Sequence, residues 1–171
     1  MSKDMIVILD YGMGNVRSVA NALKKVNLLG VVSREKADIS NARALIIPGV
    51  GAFRHGMDSL RKLNLIKQIN RFVESGKPVL GICLGMQMLM EESDEYGSTP
   101  GIGLIPGKVK KLSLTITDQK RLPHIGWNTI HTNFNGCRDL SKTLFHGIKP
   151  EHSVYFLHSY AAYPSDKNNI L

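Results

Sequence analysis

The pentapeptide Gly81-Ile82-Cys83-Leu84-Gly85 sets a thiol between two glycines at the end of the apolar run that begins at Val79. This is the shape of a nucleophile elbow, G-x-S-x-G, with cysteine in the place of serine. In such an elbow the nucleophile sits on a strained strand-to-helix turn, and the flanking glycines leave room for the crowded backbone. A helix starting at Leu84 would favour the thiolate through its N-terminus, and the Leu84 N–H would face a developing oxyanion. The alternative is a small, inert core cysteine. Cys137, in "NGCRDL", has no comparable setting. A thiolate nucleophile also needs a base, and six histidines are available: His55, His124, His131, His146, His152 and His158. Only His158 lies within a strong strand pattern, so elimination nominates it. A polar residue in a pocket wall is an equally good reading of that position.

The elements that must position this cysteine follow from the apolar periodicity. Residues 5–9 ("MIVIL") form an apolar, β-branched run that ends in "DYGMGN". From Asn15 onward, Val16, Val19, Ala20, Leu23 and Val26 recur at helical spacing. "LLGVV" (28–32) is a second candidate strand. "ALIIP" (44–48) is a third, followed by the loop "GVGAFRHG"; Met57, Leu60, Leu63, Ile66, Ile69 and Phe72 then predict one long helix. "KPVLGIC" (77–83) is the fourth strand, with "LGMQMLMEE" turning helical behind it. Continuously apolar strands alternating with helices predict a parallel sheet covered on both faces. After Gly101 the rhythm changes to short strand-like pieces, "KVKKLSLTI", "GWNTIH" and "VYFLHSY", which predict an antiparallel extension of the same domain.

Three loops at the carboxyl ends of the parallel strands are where such a sheet binds ligands. The first, "DYGMGN", fails as a dinucleotide fingerprint, because Arg17 stands where its third glycine belongs. It reads either as a tight turn with an Asn15 N-cap or as a functional loop. The second, "PGVGAF", places Gly49 and Gly51 around Val50, which suits backbone N–H groups facing an oxyanion as well as it suits a tight turn. The third is the cysteine elbow.

Composition narrows the classes. A chain of 171 residues, 43% hydrophobic, is the size of one globular domain. Neither a membrane-length apolar stretch nor a secretory signal is present, and two cysteines make no disulfide framework or metal site, so a reducing cytoplasm is expected. The formal charge of +8 is scattered rather than clustered. That favours a solvated surface or an acidic protein partner over nucleic acid.

"DYGMGN", "PGVGAF", "GKPVLGICLGMQ", "GLIPGKV", "LPHIGWN" and "VYFLHSY", in this order from Met5 to about Tyr163, resemble the glutaminase subunits of imidazole glycerol phosphate synthases, class I glutamine amidotransferases with a Cys-His-Glu triad. "GICLGMQ" is characteristic of class I glutaminases in general, and "LPHIGWN" singles out this subunit. The resemblance implies a flavodoxin-like α/β fold: a mostly parallel sheet flanked by helices, with the antiparallel extension in the C-terminal half. It implies hydrolysis of L-glutamine to glutamate and ammonia, no cofactor and no metal, and a heterodimer with a (β/α)8-barrel cyclase that consumes the ammonia. Position by position, Cys83 is similar to the nucleophile that forms the thioester. Val50 and Leu84 match the oxyanion hole, and Gly49, Gly51, Gln87, Ser159 and Tyr160 the glutamine-holding positions. Asn15, His124 and Trp127 match positions facing the cyclase, and His158 matches a pocket wall rather than the base.

One departure qualifies the resemblance. The family takes its catalytic histidine and glutamate from a later "F-H-P-E" stretch, and no histidine here has Glu two positions on. The expectation is therefore that residues 1–171 form a glutaminase domain without its C-terminal segment, inactive on its own. Three other readings stay open: ammonia supply to a sugar amidotransferase of surface-polysaccharide synthesis, a non-catalytic docking module, and a dienelactone-type hydrolase, for which no Asp and His stand in recognisable context.

Overall fold

The computed structural model describes residues 4–113, 122–130, 143–148 and 152–170. Four parallel strands, β1 (Ile6–Leu9), β2 (Gly30–Ser33), β3 (Ala44–Gly49) and β4 (Val79–Cys83), form a sheet in the order β2-β1-β3-β4. This is the order of the flavodoxin-like doubly wound fold. On one face Val7, Leu9, Leu45 and Ile47 join a core with Phe53, Met57, Leu60, Ile69 and Phe72. These last five lie on two helices, α3 (Phe53–Lys62) and α4 (Ile66–Glu74). On the other face Ile8 and Leu23 meet at Gly30, where a Cβ would lie 2.6 Å from the Leu23 Cδ1. Leu23 belongs to α1 (Val16–Lys25), and a short α2 (Lys36–Asn41) joins β2 to β3.

The long helix expected over Met57 to Phe72 is broken in two. Asn64 adopts φ 53°, its N–H reaches the Arg61 carbonyl at 3.0 Å, and the Leu65 N–H reaches the Leu60 carbonyl at 2.9 Å. This is a Schellman ending, in which a left-handed residue satisfies the orphan carbonyls of α3 and buries the next apolar side chain, Leu65. Apolar spacing runs through such a break because both helices present the same face to the sheet.

The second departure lies behind Cys83. Helix α5 is one turn, Leu84–Gln87, and the expected continuation through Glu92 is instead the strand β5 (Met90–Ser93). Residues 88–91 are held by a distant segment: Ile102 N–H donates to Met88, Leu104 and Ile105 to Leu89, and Gly101 to Glu91. Those bonds outweigh the high helix propensity of Leu, Met and Glu. Strand β5 joins β6 (Thr99–Pro100), β7 (Ile105–Lys111) and β10 (Tyr160–Pro164) in a second sheet of order β10-β7-β5-β6. Two of its pairings are antiparallel, as expected for the extension, while β5 and β7 run parallel. Strands β8 (His124–Thr129) and β9 (Ser153–His158) pair antiparallel as a separate ribbon that runs on into β10 through Ser159. Cys137 and His131 lie outside the described residues.

Candidate active site

Cys83 ends β4 at φ 54° and ψ −116°, a backbone conformation that costs a non-glycine residue about 1–3 kcal/mol, and it is exposed. The elbow glycines are required by close approach. A Cβ on Gly85 would collide with the Ile47 carbonyl, and one on Gly81 would lie 2.6 Å from the Met86 nitrogen. The chain can therefore fold back on itself directly after the thiol. Because α5 is one turn long, the aligned peptide dipoles behind Cys83 are few.

Gly49 is the register partner of Cys83 across β3 and β4. A Cβ on Gly49 would lie 2.6 Å from the Gly85 nitrogen and 2.7 Å from the Tyr11 hydroxyl. The glycine loop after β3 therefore begins beside the elbow. Val50 follows, 62% exposed, and Gly51 turns the chain at φ 101°. The first loop packs there too: Met13 lies against Gly51, and a Cβ on Gly14 would meet Pro48 at 3.0 Å. All three loops selected from the sequence converge at one corner. Gln87, on α5, reaches across 73 positions of sequence to donate its Nε2 to the Tyr160 carbonyl at 2.9 Å. This bond ties Gln87, one helical turn behind Cys83 in the chain, to the strand that begins at Tyr160, next to Ser159.

Among the candidate interface residues, Asn15 caps α1, its Oδ1 accepting from the Ser18 N–H at 3.1 Å. His124 and Trp127 lie on opposite faces of the β8–β9 ribbon, as strand alternation requires. Trp127 stands with Ile125, Tyr155 and Leu157, exposed at 69, 56, 54 and 58%. His124 stands with Asn128, Phe156 and His158. No hydrogen bond joins Cys83 to a histidine among the described residues, so elimination in favour of His158 as base gains no geometric support.

Two residues escaped the sequence reading. Tyr11 is buried and donates its hydroxyl to the Pro48 carbonyl at 2.7 Å. Burial, and secondarily the nearby Cys83, pushes its phenol well above the ordinary value. Its position inside "DYGMGN" was the available signal. Glu95 accepts from the Phe53 N–H at 2.7 Å, capping α3 where Ala52 supplies no side-chain cap. Arg54 fastens the same loop by donating to Thr99 Oγ1 and to the Tyr96 carbonyl. A cap 42 positions away leaves no local signature.

A one-turn helix behind a strained cysteine, beside a glycine loop in register with it, is the geometry of a nucleophile elbow, and residues 7–171 match the family Glutamine amidotransferase class-I. The chain belongs to that family. Similar curated proteins are imidazole glycerol phosphate synthase HisH subunits. That of Syntrophotalea carbinolica is 43% identical over 167 residues, covering 95% of this chain and 77% of that protein. That of Oceanobacillus iheyensis is 41% identical, covering 98% and 78%. That of Aquifex aeolicus is 43% identical, covering 96% and 75%. A solved chain described as a crystal structure of glutamine amidotransferase superposes with a TM-score of 0.59 at 22% identity, over 72% of this chain and 62% of that one, and so shares the fold. Membership makes this a glutamine-hydrolysing class of enzyme, and the HisH relatives favour that subunit over a supplier of ammonia to sugar amidation. No described helix is long and apolar enough to cross a membrane.

Proposed function

We propose that this chain is the glutaminase subunit of an imidazole glycerol phosphate synthase in histidine biosynthesis, a single glutaminase domain over residues 1–171 working in the cytoplasm. The observation that carries the chemistry is the exposed Cys83 at positive φ, beside Gly49 and ahead of Leu84. In this reading the Cys83 thiolate attacks the glutamine γ-carbonyl carbon. The oxyanion is met by the backbone N–H groups of Val50 and Leu84, in a site where such donors contribute about 3 kcal/mol each. The C–N bond breaks as the nitrogen takes a proton and leaves as ammonia, and water then splits the thioester to glutamate and free thiol. Both proton transfers call for a general acid–base, typically worth 10²–10⁴-fold. Gly49, Gly51, Gln87, Ser159 and Tyr160 hold the glutamine.

The partner is a (β/α)8 cyclase that takes the ammonia to make imidazole glycerol phosphate and AICAR, with Asn15, His124 and Trp127 bordering it. The apolar face of Ile125, Trp127, Tyr155 and Leu157 supports a protein partner, since four large side chains in water are characteristic of an interface. The decisive experiment is alkylation by a glutamine-like electrophile followed by peptide mass spectrometry, alongside glutamate release by the protein assembled with its cyclase. Labelling of Cys83 before Cys137, blocked by glutamine, is the expected result. Preferential labelling of Cys137, or undiminished hydrolysis by Cys83→Ser, would overturn the assignment.

A further inference from the structure

The polar face of the β8–β9 ribbon carries an unbroken chain of hydrogen bonds that ends at the glutamine pocket. His124 and His158 are register partners, and His124 Nδ1 lies 3.1 Å from His158 Nε2. At one end Asn128 Nδ2 lies 2.8 Å from His124 Nε2. At the other, His158 Nδ1 lies 3.0 Å from the Tyr160 carbonyl. Phe156 packs against both imidazoles, stacked on His124 at 5.4 Å and tilted against His158 at 5.7 Å, which fixes the planes of the rings.

The chain of donors and acceptors has one consistent direction. A carbonyl oxygen only accepts, so His158 Nδ1 carries the proton and, in a neutral ring, Nε2 offers a lone pair. His124 must then donate from Nδ1, which leaves its Nε2 to accept from the Asn128 amide. The terminal acceptor has a second donor, because Gln87 Nε2 also reaches the Tyr160 carbonyl at 2.9 Å. That oxygen is free to take both. The Leu112 N–H donates to Ser159, so Ser159 and Leu112 form a bonded pair of the β7–β10 ladder. The next pair, Tyr160 with Lys111, is then the non-bonded kind, whose carbonyls point away from the partner strand.

We infer that His158 and His124 are positioning residues for the pocket: two neutral imidazoles, each protonated on Nδ1, that fix the Tyr160 carbonyl and through it the orientation of the Gln87 carboxamide. The inference rests on the reading of Gln87 as a glutamine-holding residue. It assigns His158 an orienting part and no proton transfer with substrate. It also separates the two faces of the ribbon: the apolar contact lies on the Trp127 side, and His124, besides bordering the cyclase, aligns the pocket.

The test uses the protein with 15N-labelled imidazoles and long-range proton–nitrogen correlation spectra at pH 7.5, then kinetics in the complex with the cyclase. Both rings are expected in the Nδ1–H tautomer; an Nε2–H tautomer or a cation at either position overturns the relay. His158→Asn keeps an N–H where Nδ1 stood, whereas His158→Gln moves its amide to the Nε2 position and drops the bond to Tyr160. The Gln87 side-chain amide resonance is expected to move in His158→Gln and to stay near its original place in His158→Asn. The KM for glutamine should rise roughly five- to tenfold in His158→Gln and clearly less in His158→Asn, the range that one lost hydrogen bond gives. Equal effects of the two variants on amide resonance and KM would overturn the proposal. If instead the unmutated complex neither releases glutamate nor is alkylated at Cys83 by a glutamine-like electrophile, the glutaminase reading has failed, and the tautomers and the Gln87 resonance still decide the relay. Should His158→Gln fail to fold, His124→Phe removes the donor to His158 Nε2 and is read by the same Gln87 resonance and KM.

Discussion

The corner formed by β3, β4 and α5 and the ribbon of β8 and β9 both serve the candidate site, yet they are built on opposite terms. At the corner the backbone is shaped by side chains that are absent: Gly49, Gly81 and Gly85 let three segments approach to distances at which any Cβ would collide. In the ribbon the backbone is ordinary antiparallel sheet, and function lies in which side chains the register sets opposite one another, His124 with His158 and Trp127 with Tyr155. The corner should therefore be intolerant of added atoms and the ribbon tolerant of removed ones. An elbow needs a unique backbone path, whereas an interface needs a surface.

The largest effect that sharpens this contrast is expected from Gly85→Ala. The new methyl would meet the Ile47 carbonyl, which belongs to a central strand and cannot retreat, so stability should fall by about 3 kcal/mol or more, read by thermal melting. A wild-type melt for this variant would break the comparison. Trp127→Ala should behave in the opposite way. With 69% of Trp127 in water, the melt should stay within about 0.5 kcal/mol. Affinity for the cyclase, measured by calorimetry, should nevertheless drop by about 2 kcal/mol, as for an aromatic interface anchor. A large loss of stability with no loss of affinity would make Trp127 a structural residue.

Smaller effects probe the strain at the elbow. Cys83→Gly places at φ 54° the one residue that adopts it freely, and is expected to raise stability by about 1 kcal/mol while abolishing alkylation. A destabilised Cys83→Gly would show that the sulfur contributes packing that outweighs the backbone relief. Tyr11→Phe leaves the Pro48 carbonyl without its partner and should cost about 1 kcal/mol in a denaturant titration. The same residue gives a pH dependence. Its folded phenol ionises well above the unfolded value of about 10, so its contribution is intact below pH 10. Above that pH the unfolded chain releases the proton first, and stability declines. Tyr11→Phe should flatten this decline; an unchanged alkaline slope would assign it to other groups.

The parallel sheet was legible because buried central strands must be apolar along their whole length, as residues 5–9 and 44–48 are; residues 79–83 are as apolar, yet they form the edge of the described sheet, with Leu80 and Ile82 exposed. The elbow was legible because its constraint is steric and local: glycine has to stand two positions before and two positions after a residue folded back on itself. The sequence was silent wherever the deciding partner lay far along the chain. Apolar spacing from Met57 to Phe72 carried no mark of the break at Asn64, since both helices bury the same face. "MLMEE" read as helix because its propensity is local, whereas its backbone partners are residues 101–105. Glu95 at the N-terminus of α3, and Gln87 at the Tyr160 carbonyl, lie 42 and 73 positions from the groups they meet. Residue types and spacing thus determined which atoms could do chemistry. Only the tertiary structure decided which of them share a hydrogen bond, because register and long-range pairing are collective properties of the folded chain rather than of any stretch within it.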